Sequence, residues 1–349
     1  MAVKMTDVAA AAGVSVATVS NVFTGKHFVS PEIKDRVLQA VEDLDYHINL
    51  TARSLKTSKS KTIGIVLPDI TKLFFTEVMR GILDTVEEHG YKAIYLSSYF
   101  DYATEKECIA SLRSNNVDAI IIDTCCDYHN LKNWAYELAT YEGKYTPIVF
   151  IESAVDGGLA SSVAIDAYYW SGKLTRHLIS LNKSRILFIS GPSYLKQEHD
   201  VLIGYKQALK DNGIKINDNL IFTSDFSSKS SYKLMTNILK KSPKFDAIQA
   251  SNDEAAIGAV KALKEHGLKI PDDIVICGFD NLFPTTLVDP AITTINVPRR
   301  EIGAAAVNEC IHHIEDPSLP HRNVVLSADM IVRGSTEKGA ETTWDLYSW

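Results

Sequence analysis

Five polar side chains stand where apolar runs end: Asp69 after Ile63-Gly64-Ile65-Val66-Leu67, Glu152 after Ile148-Val149-Phe150-Ile151, Ser190 after Ile186-Leu187-Phe188-Ile189, Asn252 past Ala247-Ile248-Gln249-Ala250, and Asp280 past Ile274-Val275-Ile276-Cys277. A carboxylate accepts from paired hydroxyls, an amide both accepts and donates, and a flat apolar face completes a site for a sugar-type molecule. Phe74 and Phe75 are candidates for that face. Each residue also has a simpler use: a strand-end acid caps the next helix, and a phenylalanine fills core. A second group, Val16, Ala17, Thr18, Ser20 and Asn21, is small and polar within one short stretch. On the outer face of a helix such side chains suit a DNA major groove. No G-x-S-x-G elbow, phosphate loop or H-E-x-x-H is present, so no enzyme class finds its motif.

The elements that would carry these groups follow from spacing. Val8, Ala9 and Ala12 repeat at helical intervals, Gly13 suits the left-handed residue that ends a helix, and Ser15 is placed to cap the next one. Val14, Val19 and Val22 then turn inward. Ser30-Pro31-Glu32 opens a third helix, with Ser30 as its cap and Ile33, Val37, Leu38, Val41 and Leu44 as one apolar stripe. That closes a head of about 45 residues with a small core. From Thr62 strand and helix alternate, in two successive sets. Alternation of this kind predicts two doubly wound α/β lobes of parallel sheet, with ligands at the carboxyl ends of strands.

Composition sets outer bounds. The chain has 349 residues, enough for two or three compact units. Five cysteines, Cys108, Cys125, Cys126, Cys277 and Cys310, have no metal-ligand spacing and read as reduced thiols, so neither metal nor cofactor is expected. The net charge of -7 opposes a uniformly basic surface, yet Arg53, Lys56, Lys59 and Lys61 gather just after the head. A basic module on an acidic body is compatible with DNA binding. No run approaches the roughly 20 apolar residues of a membrane span, and Met1–Asp7 lacks a signal-peptide core. The expected setting is cytoplasmic, with no membrane partner.

The stretch D-V-A-x-x-A-G-V-S-x-x-T-V-S-x-V, from Asp7 to Val22, resembles the N-terminal signature of the lactose/galactose repressor (LacI/GalR) family of bacterial transcription regulators. Asn49, Ala52 and Leu55 resemble its hinge helix, N-x-x-A-x-x-L. Ser251-Asn252-Asp253 and Gly278-Phe279-Asp280 resemble its S/A-N-D and G-F/Y-D motifs, and Glu152 falls where the family usually has Asp. The resemblance implies a helix-turn-helix head over 1–48 and a hinge and linker over 49–61. It implies a periplasmic-binding-protein-like body: lobe one over 62–162 with 292–323, lobe two over 163–291 with 324–336, and a tail over 337–349. Crossings fall near Ser162, Ala291 and Asn323. It implies contacts to a double-stranded DNA operator from Thr6, Val16, Ala17, Thr18, Ser20, Asn21, Ser30, Tyr46, Asn49, Ala52, Arg53 and Leu55. Leu55 would be the apolar wedge between base steps. Asp69, Phe74, Phe75, Glu152, Ser190, Asn252 and Asp280 would hold a small-molecule effector. A homodimer would pair through the helix holding Ile82 and Leu83, and the tail shows no heptad repeat for a coiled coil.

The chain departs from the family pattern in several places. Val201 stands three residues before Gly204-Tyr205, where the family carries an effector-clamping Arg, and a Val makes no bidentate contact. Lys196 or His199 are the nearest substitutes. Lys72-Leu73 replaces the usual Asn-Pro, Asp166-Ala167 the usual Asp-Asn, and the aromatic run Tyr168-Tyr169-Trp170 follows where a Gly is common. That run either stacks a ring at the cleft mouth or packs the crossover, and packing is favoured. The leading expectation is a dimeric repressor controlled by a sugar-like effector. A regulator controlled by a phosphocarrier protein, as in the catabolite-control branch, and a receptor without DNA activity are the alternatives.

Overall fold

The structure is a computed structural model that describes residues 3–24, 27–46, 59–141, 145–155, 157–241 and 244–340. It divides into two compact units, Met1–Ser60 and Lys61–Trp349. The hinge residues Asn49, Ala52, Arg53 and Leu55, and the tail beyond 340, lie outside the described residues.

Among the described residues the first unit holds three helices, α1 (Met5–Ala12), α2 (Val16–Thr24) and α3 (Pro31–Asp43). The Lys4 N–H donates to the Asp7 carboxylate at 2.8 Å, satisfying a donor at the start of α1. Gly13, with φ of 64°, ends the helix in the left-handed region. The Thr18 N–H then donates to Ser15 Oγ at 3.1 Å, the cap expected for α2. Val8, Ala9, Ala12, Val19, Val37 and Ala40 form the core, with Val14, Val22 and Ile33 packed against it. Two expectations for α3 are corrected. Leu38 lies off the apolar stripe at 44% exposure, and Ala40 takes its inward place. Ser30 stands at the cap position but its hydroxyl makes no cap hydrogen bond; Pro31 alone presets the first turn.

The second unit holds two sheets of parallel strands. In one, β1 (Thr62–Leu67), β2 (Lys92–Ser97), β3 (Ala119–Ile122), β4 (Ile148–Ile151), β5 (Ser161–Ile165) and β11 (Asn323–Leu326) run in the order β11-β5-β4-β3-β1-β2. Helices α4 (Leu73–Glu88), α5 (Tyr102–Ser114), α6 (Leu131–Ala139) and α12 (Arg299–Glu315) belong with it. In the other, β6 (Ile186–Ser190), β7 (Ile221–Thr223), β8 (Ala247–Ala250) and β9 (Val275–Cys277) run β7-β6-β8-β9. It is accompanied by α7 (Ala167–Ser180), α8 (Lys196–Asp211), α9 (Ser228–Lys240), α10 (Asp253–Glu265) and the short α11 (Pro284–Leu287). The central strands β3 and β6 are near-continuous apolar runs, fully buried between helix layers.

Several details differ from expectation. β5 and β11 carry too few large apolar residues to read as strands, yet they pair in parallel, Ser162 with Asn323 through Ile165 with Leu326. The first sheet therefore runs three residues past each of the crossings expected near Ser162 and Asn323. The segment around Met330 forms β12 (Asp329–Ile331), which pairs antiparallel with β10 (Thr294–Asn296) in a separate ribbon. α7 begins at Ala167, capped by Asp166, which accepts from Tyr169 N at 2.8 Å. Trp170 packs in the core, as favoured, whereas Tyr168 and Tyr169 are exposed. Ile82 is fully buried, with α4 so close to α12 that a Cβ on Gly303 would lie 2.2 Å from the Val78 carbonyl oxygen. Only Leu83, 48% exposed, faces outward from the pair expected at a dimer contact.

Candidate functional site

On the head, Val16 and Ala17 are exposed on the first turn of α2, and Thr6 is exposed on α1. Thr18, Ser20, Asn21 and Ser30 are half-buried. The Thr18 hydroxyl lies 2.9 Å from Ser15 Oγ, so part of its capacity is spent on the cap. Tyr46 departs from the expected DNA-facing set: its ring is buried in the head core, 6.3 Å from Phe23, because an aromatic ring contributes most where it completes a small core. The most exposed side chains on the first turn of α2, Val16 and Ala17, are small and apolar.

In the second unit, the carboxyl ends of β1, β3, β8 and β9 and the first turn of α8 open on one cavity, lined among others by Pro68, Lys72, Phe74, Phe75, Phe100, Asp123, Glu198, Phe226, Asn252 and Asp280. β1 and β3 flank the point where strand order reverses in one sheet, and β6 and β8 do so in the other. Ligands of open α/β sheets sit at such switch points. The two lobes touch around the rim. Lys72 Nζ lies 3.5 Å from Glu254 Oε2. Phe100 stacks on Phe226 with centroids 5.9 Å apart. The Tyr128 N–H donates to the Tyr194 carbonyl at 2.8 Å, and the Tyr128 ring stacks on His199 at 4.1 Å. Lys72, at a departure from the family pattern, thus acts as a rim contact.

The candidates fare differently. Phe74 and Phe75 line the cavity, edge to face at 5.2 Å, with Phe75 also part of the core. Asp280 lines it, nine-tenths buried, with φ of 110°. Asn252 lines it too, but its amide is already engaged: Oδ1 accepts from Ala255 N at 3.1 Å as the α10 cap, and Nδ2 donates to the Phe226 carbonyl at 3.0 Å. Asp69 is corrected: it is absent from the lining, and Oδ1 accepts from Thr71 N at 2.9 Å and from its hydroxyl at 2.7 Å, a local turn of the kind short acids make. Ser190 is corrected likewise: buried behind the wall, its hydroxyl donates to Glu198 Oε2 at 3.2 Å. Glu152 does not line the cavity either. It is buried with φ of 59°, and neither carboxylate oxygen has a hydrogen-bond partner among the described residues.

The proposed substitutes for the missing Arg do not reach in. Lys196 pairs with Asp200, and His199 lies on Tyr128. Val201 is buried in the core, where its carbonyl accepts from Ser171 Oγ at 2.6 Å.

Sequence reasoning missed Asp123, Glu198, Phe100 and Phe226. Asp123 carries the same signal as Asp69, an acid directly after an apolar run. Glu198 sits on a helix rather than at a strand end, held by the Gly191 N–H at 2.7 Å. Phe100 and Phe226 lie in irregular turns with φ of 59° and 67°, where no period exists to read. Asp253 is a hidden support. Oδ2 accepts from Leu282 N at 2.6 Å and Oδ1 from Thr294 Oγ1 at 2.7 Å, which fixes the loop carrying Asp280.

Burial dominates the electrostatics. It pushes the Glu152 carboxyl up to about 8. Glu198 rises to about 7, although the Ser251, Gly191 and Ser190 hydrogen bonds oppose the shift. Asp253 also rises to about 7, held down by its two hydrogen bonds and by Arg333 and Arg299. Asp123 is lifted well above the carboxylate range, by burial and then by the charges of Glu152 and Glu105. Asp280 is lifted likewise, by burial, Asp253, Glu152 and Glu198 against the pull of Arg299. No group of three His, Cys, Asp or Glu among the described residues is arranged to hold a metal ion.

Comparison with known proteins gives the same two-part division. Residues 4–49 match the family described as bacterial regulatory proteins, lacI family, and residues 60–332 match periplasmic binding proteins and sugar binding domain of LacI family. The chain is 34% identical to the HTH-type transcriptional regulator RegA of Clostridium saccharobutylicum, over 96% of this chain and 100% of that one. It is 31% identical to the ribose operon repressor of Bacillus subtilis (strain 168), over 95% and 98%. Its fold is similar to that of the lac repressor dimer bound to operator and the anti-inducer ONPF, with a TM-score of 0.87 at 23% identity, covering 96% of this chain and 99% of that one.

Proposed function

The chain belongs to the LacI family of bacterial transcription regulators, and from that premise we propose that it binds a near-palindromic operator as a homodimer under the control of a small, sugar-like molecule held between its lobes. It is a DNA-binding regulator with an effector-binding body, and the family is one of regulators rather than enzymes. The observation that carries the finer reading is the cavity itself. It draws on both lobes, collects carboxylates and aromatic faces at strand-order reversals, and is closed by contacts that pair one lobe with the other.

The mechanism follows from those contacts. A molecule that touches both lobes favours the closed body over the open one by the difference in its affinity for the two. The exposed first turn of α2 supports base reading by Val16 and Ala17. Leu83 is the outward residue on α4 suited to a symmetric contact. As a transcription regulator the protein would act where the chromosome is, in the cytoplasm.

The test is a selection from genomic fragments with full-length protein at moderate salt. Recovery of a near-palindrome is expected. No enrichment alone, but enrichment when cell extract is added, would replace the small molecule with a protein partner such as a phosphocarrier. No enrichment in either case would end the operator reading.

A further inference from the structure

The cavity lining carries more carboxyl groups than cations. Among its lining residues Lys72 is the cation, and it is taken by Glu254 at 3.5 Å. Asp123, Glu198 and Asp280 remain. Glu198 is held by the Gly191 N–H and Ser190 hydroxyl. Asp123 and Asp280 accept no hydrogen bond from any described residue, although Asp280 is nine-tenths buried and faces the cavity. Arg299 approaches Asp280 electrostatically, but its guanidinium donates at 3.1 Å to the Asn281 carbonyl. Glu152, buried with both oxygens bare, further disfavours the charged forms of Asp123 and Asp280 whenever it is itself ionised. On α8, Val201 lies one turn from Glu198 and supplies no cation.

Asp123 is half-buried, and a buried carboxylate such as that of Asp280 is costly unless something neutralises it. The carboxylates are not grouped as metal ligands. The cavity also presents Phe74, Phe75, Phe100 and Phe226, and aromatic faces attract organic cations. Resting on the cleft reading above, we propose that the molecule this regulator senses is a polyol bearing an ammonium group, with the nitrogen held between Asp123 and Asp280 and the carbon frame against the phenylalanine rings. The ammonium keeps its own proton. Any proton resident on those carboxyls passes to the buffer as the amine enters.

The experiment uses full-length protein and a panel of amino sugars and amino alditols, each matched to the neutral parent with hydroxyl in place of amine. Calorimetric titration is run in two buffers of different ionisation enthalpy, beside melting-temperature shifts at constant ionic strength. An amine that binds at least about tenfold tighter than its parent, with proton release, is expected. Asp123→Asn and Asp280→Asn should each remove that preference. Each should also leave the ligand-free protein folded and melting no lower than wild type at mildly alkaline pH, since an unpaired charge is gone. A neutral parent that binds as well as its amine, or a panel in which no amine shifts the melting temperature, would overturn the proposal. Genomic selection on the same preparation separates the two readings. Operator binding with response to a neutral polyol removes only the amine, while amine binding without DNA selection removes only the regulator.

Discussion

Phe100 and Phe226 face one another across the cleft, one from each lobe, with ring centroids 5.9 Å and planes 29° apart. Both backbones are left-handed, an arrangement that costs about 1–3 kcal/mol for a non-glycine residue and survives where packing over-determines it. Both rings line the cavity, and we propose that the pair closes it as a two-part lid. Phe226→Ala should weaken ligand binding by up to about tenfold, since an aromatic pair contributes about 0.5–1.5 kcal/mol. Titration of the variant checks this, and wild-type affinity would show that the rings are not a lid.

Gly191 lies directly beneath that ring. A Cβ there would sit 2.1 Å from Phe226 Cε1, so Gly191→Ala must displace the phenylalanine. The variant should lose affinity much as Phe226→Ala does, and the double variant should lose little more, because residues in contact are not additive. Fully additive losses would contradict the arrangement.

Asp253 is expected to act through Asp280 rather than on ligand. Both its oxygens accept, from Leu282 N and Thr294 Oγ1, and an amide would turn a donor toward one of them. Asp253→Asn should cost about 1–3 kcal/mol of stability, seen as a lower melting temperature, along with the ligand response. A stable Asp253→Asn protein that still responds would remove this role.

The pH dependence of the ligand-free protein tests the burial of Glu152. Its folded pKa of about 8 lies above the ordinary value of 4.5, so folding takes up a proton. The stability it contributes is complete below 4.5 and is lost as pH rises through about 8. Between about pH 7 and about pH 9 the loss should be roughly 1 kcal/mol. Glu152→Gln should flatten that slope in denaturant titrations. An unchanged slope would mean that Glu152 is ionised when folded.

In the head, Ser15→Ala removes the hydroxyl that accepts from Thr18 N and should cost about 1 kcal/mol. Ala17→Tyr, on the exposed turn of α2, should alter the bases recovered in a genomic selection while leaving the head folded. An unaltered selected site would place Ala17 away from the base edges.

Where local rules suffice, the sequence foretold the structure. Gly13 ends α1 and Ser15 caps α2, each decided within one turn of chain by backbone sterics and hydrogen-bond supply. The apolar runs became buried parallel strands because such runs find cover only between helix layers. Asp280, Phe74 and Phe75 reached the cavity because strand ends and helix starts face it in this topology. Tertiary structure decided the rest. Asp69 and Ser190 carry the same polar signal as Asp123, yet a local turn consumes one and Glu198 the other, and no spacing records which lone pairs remain unspent. β11 becomes a strand by pairing with β5, which itself pairs with β4, across a separation in sequence that leaves no local trace. The encounter of Phe100 with Phe226 and of Lys72 with Glu254 joins two lobes threaded by crossing chains. Whether two such residues meet depends on how whole lobes close, a long-range packing balance that the period of an apolar pattern does not contain.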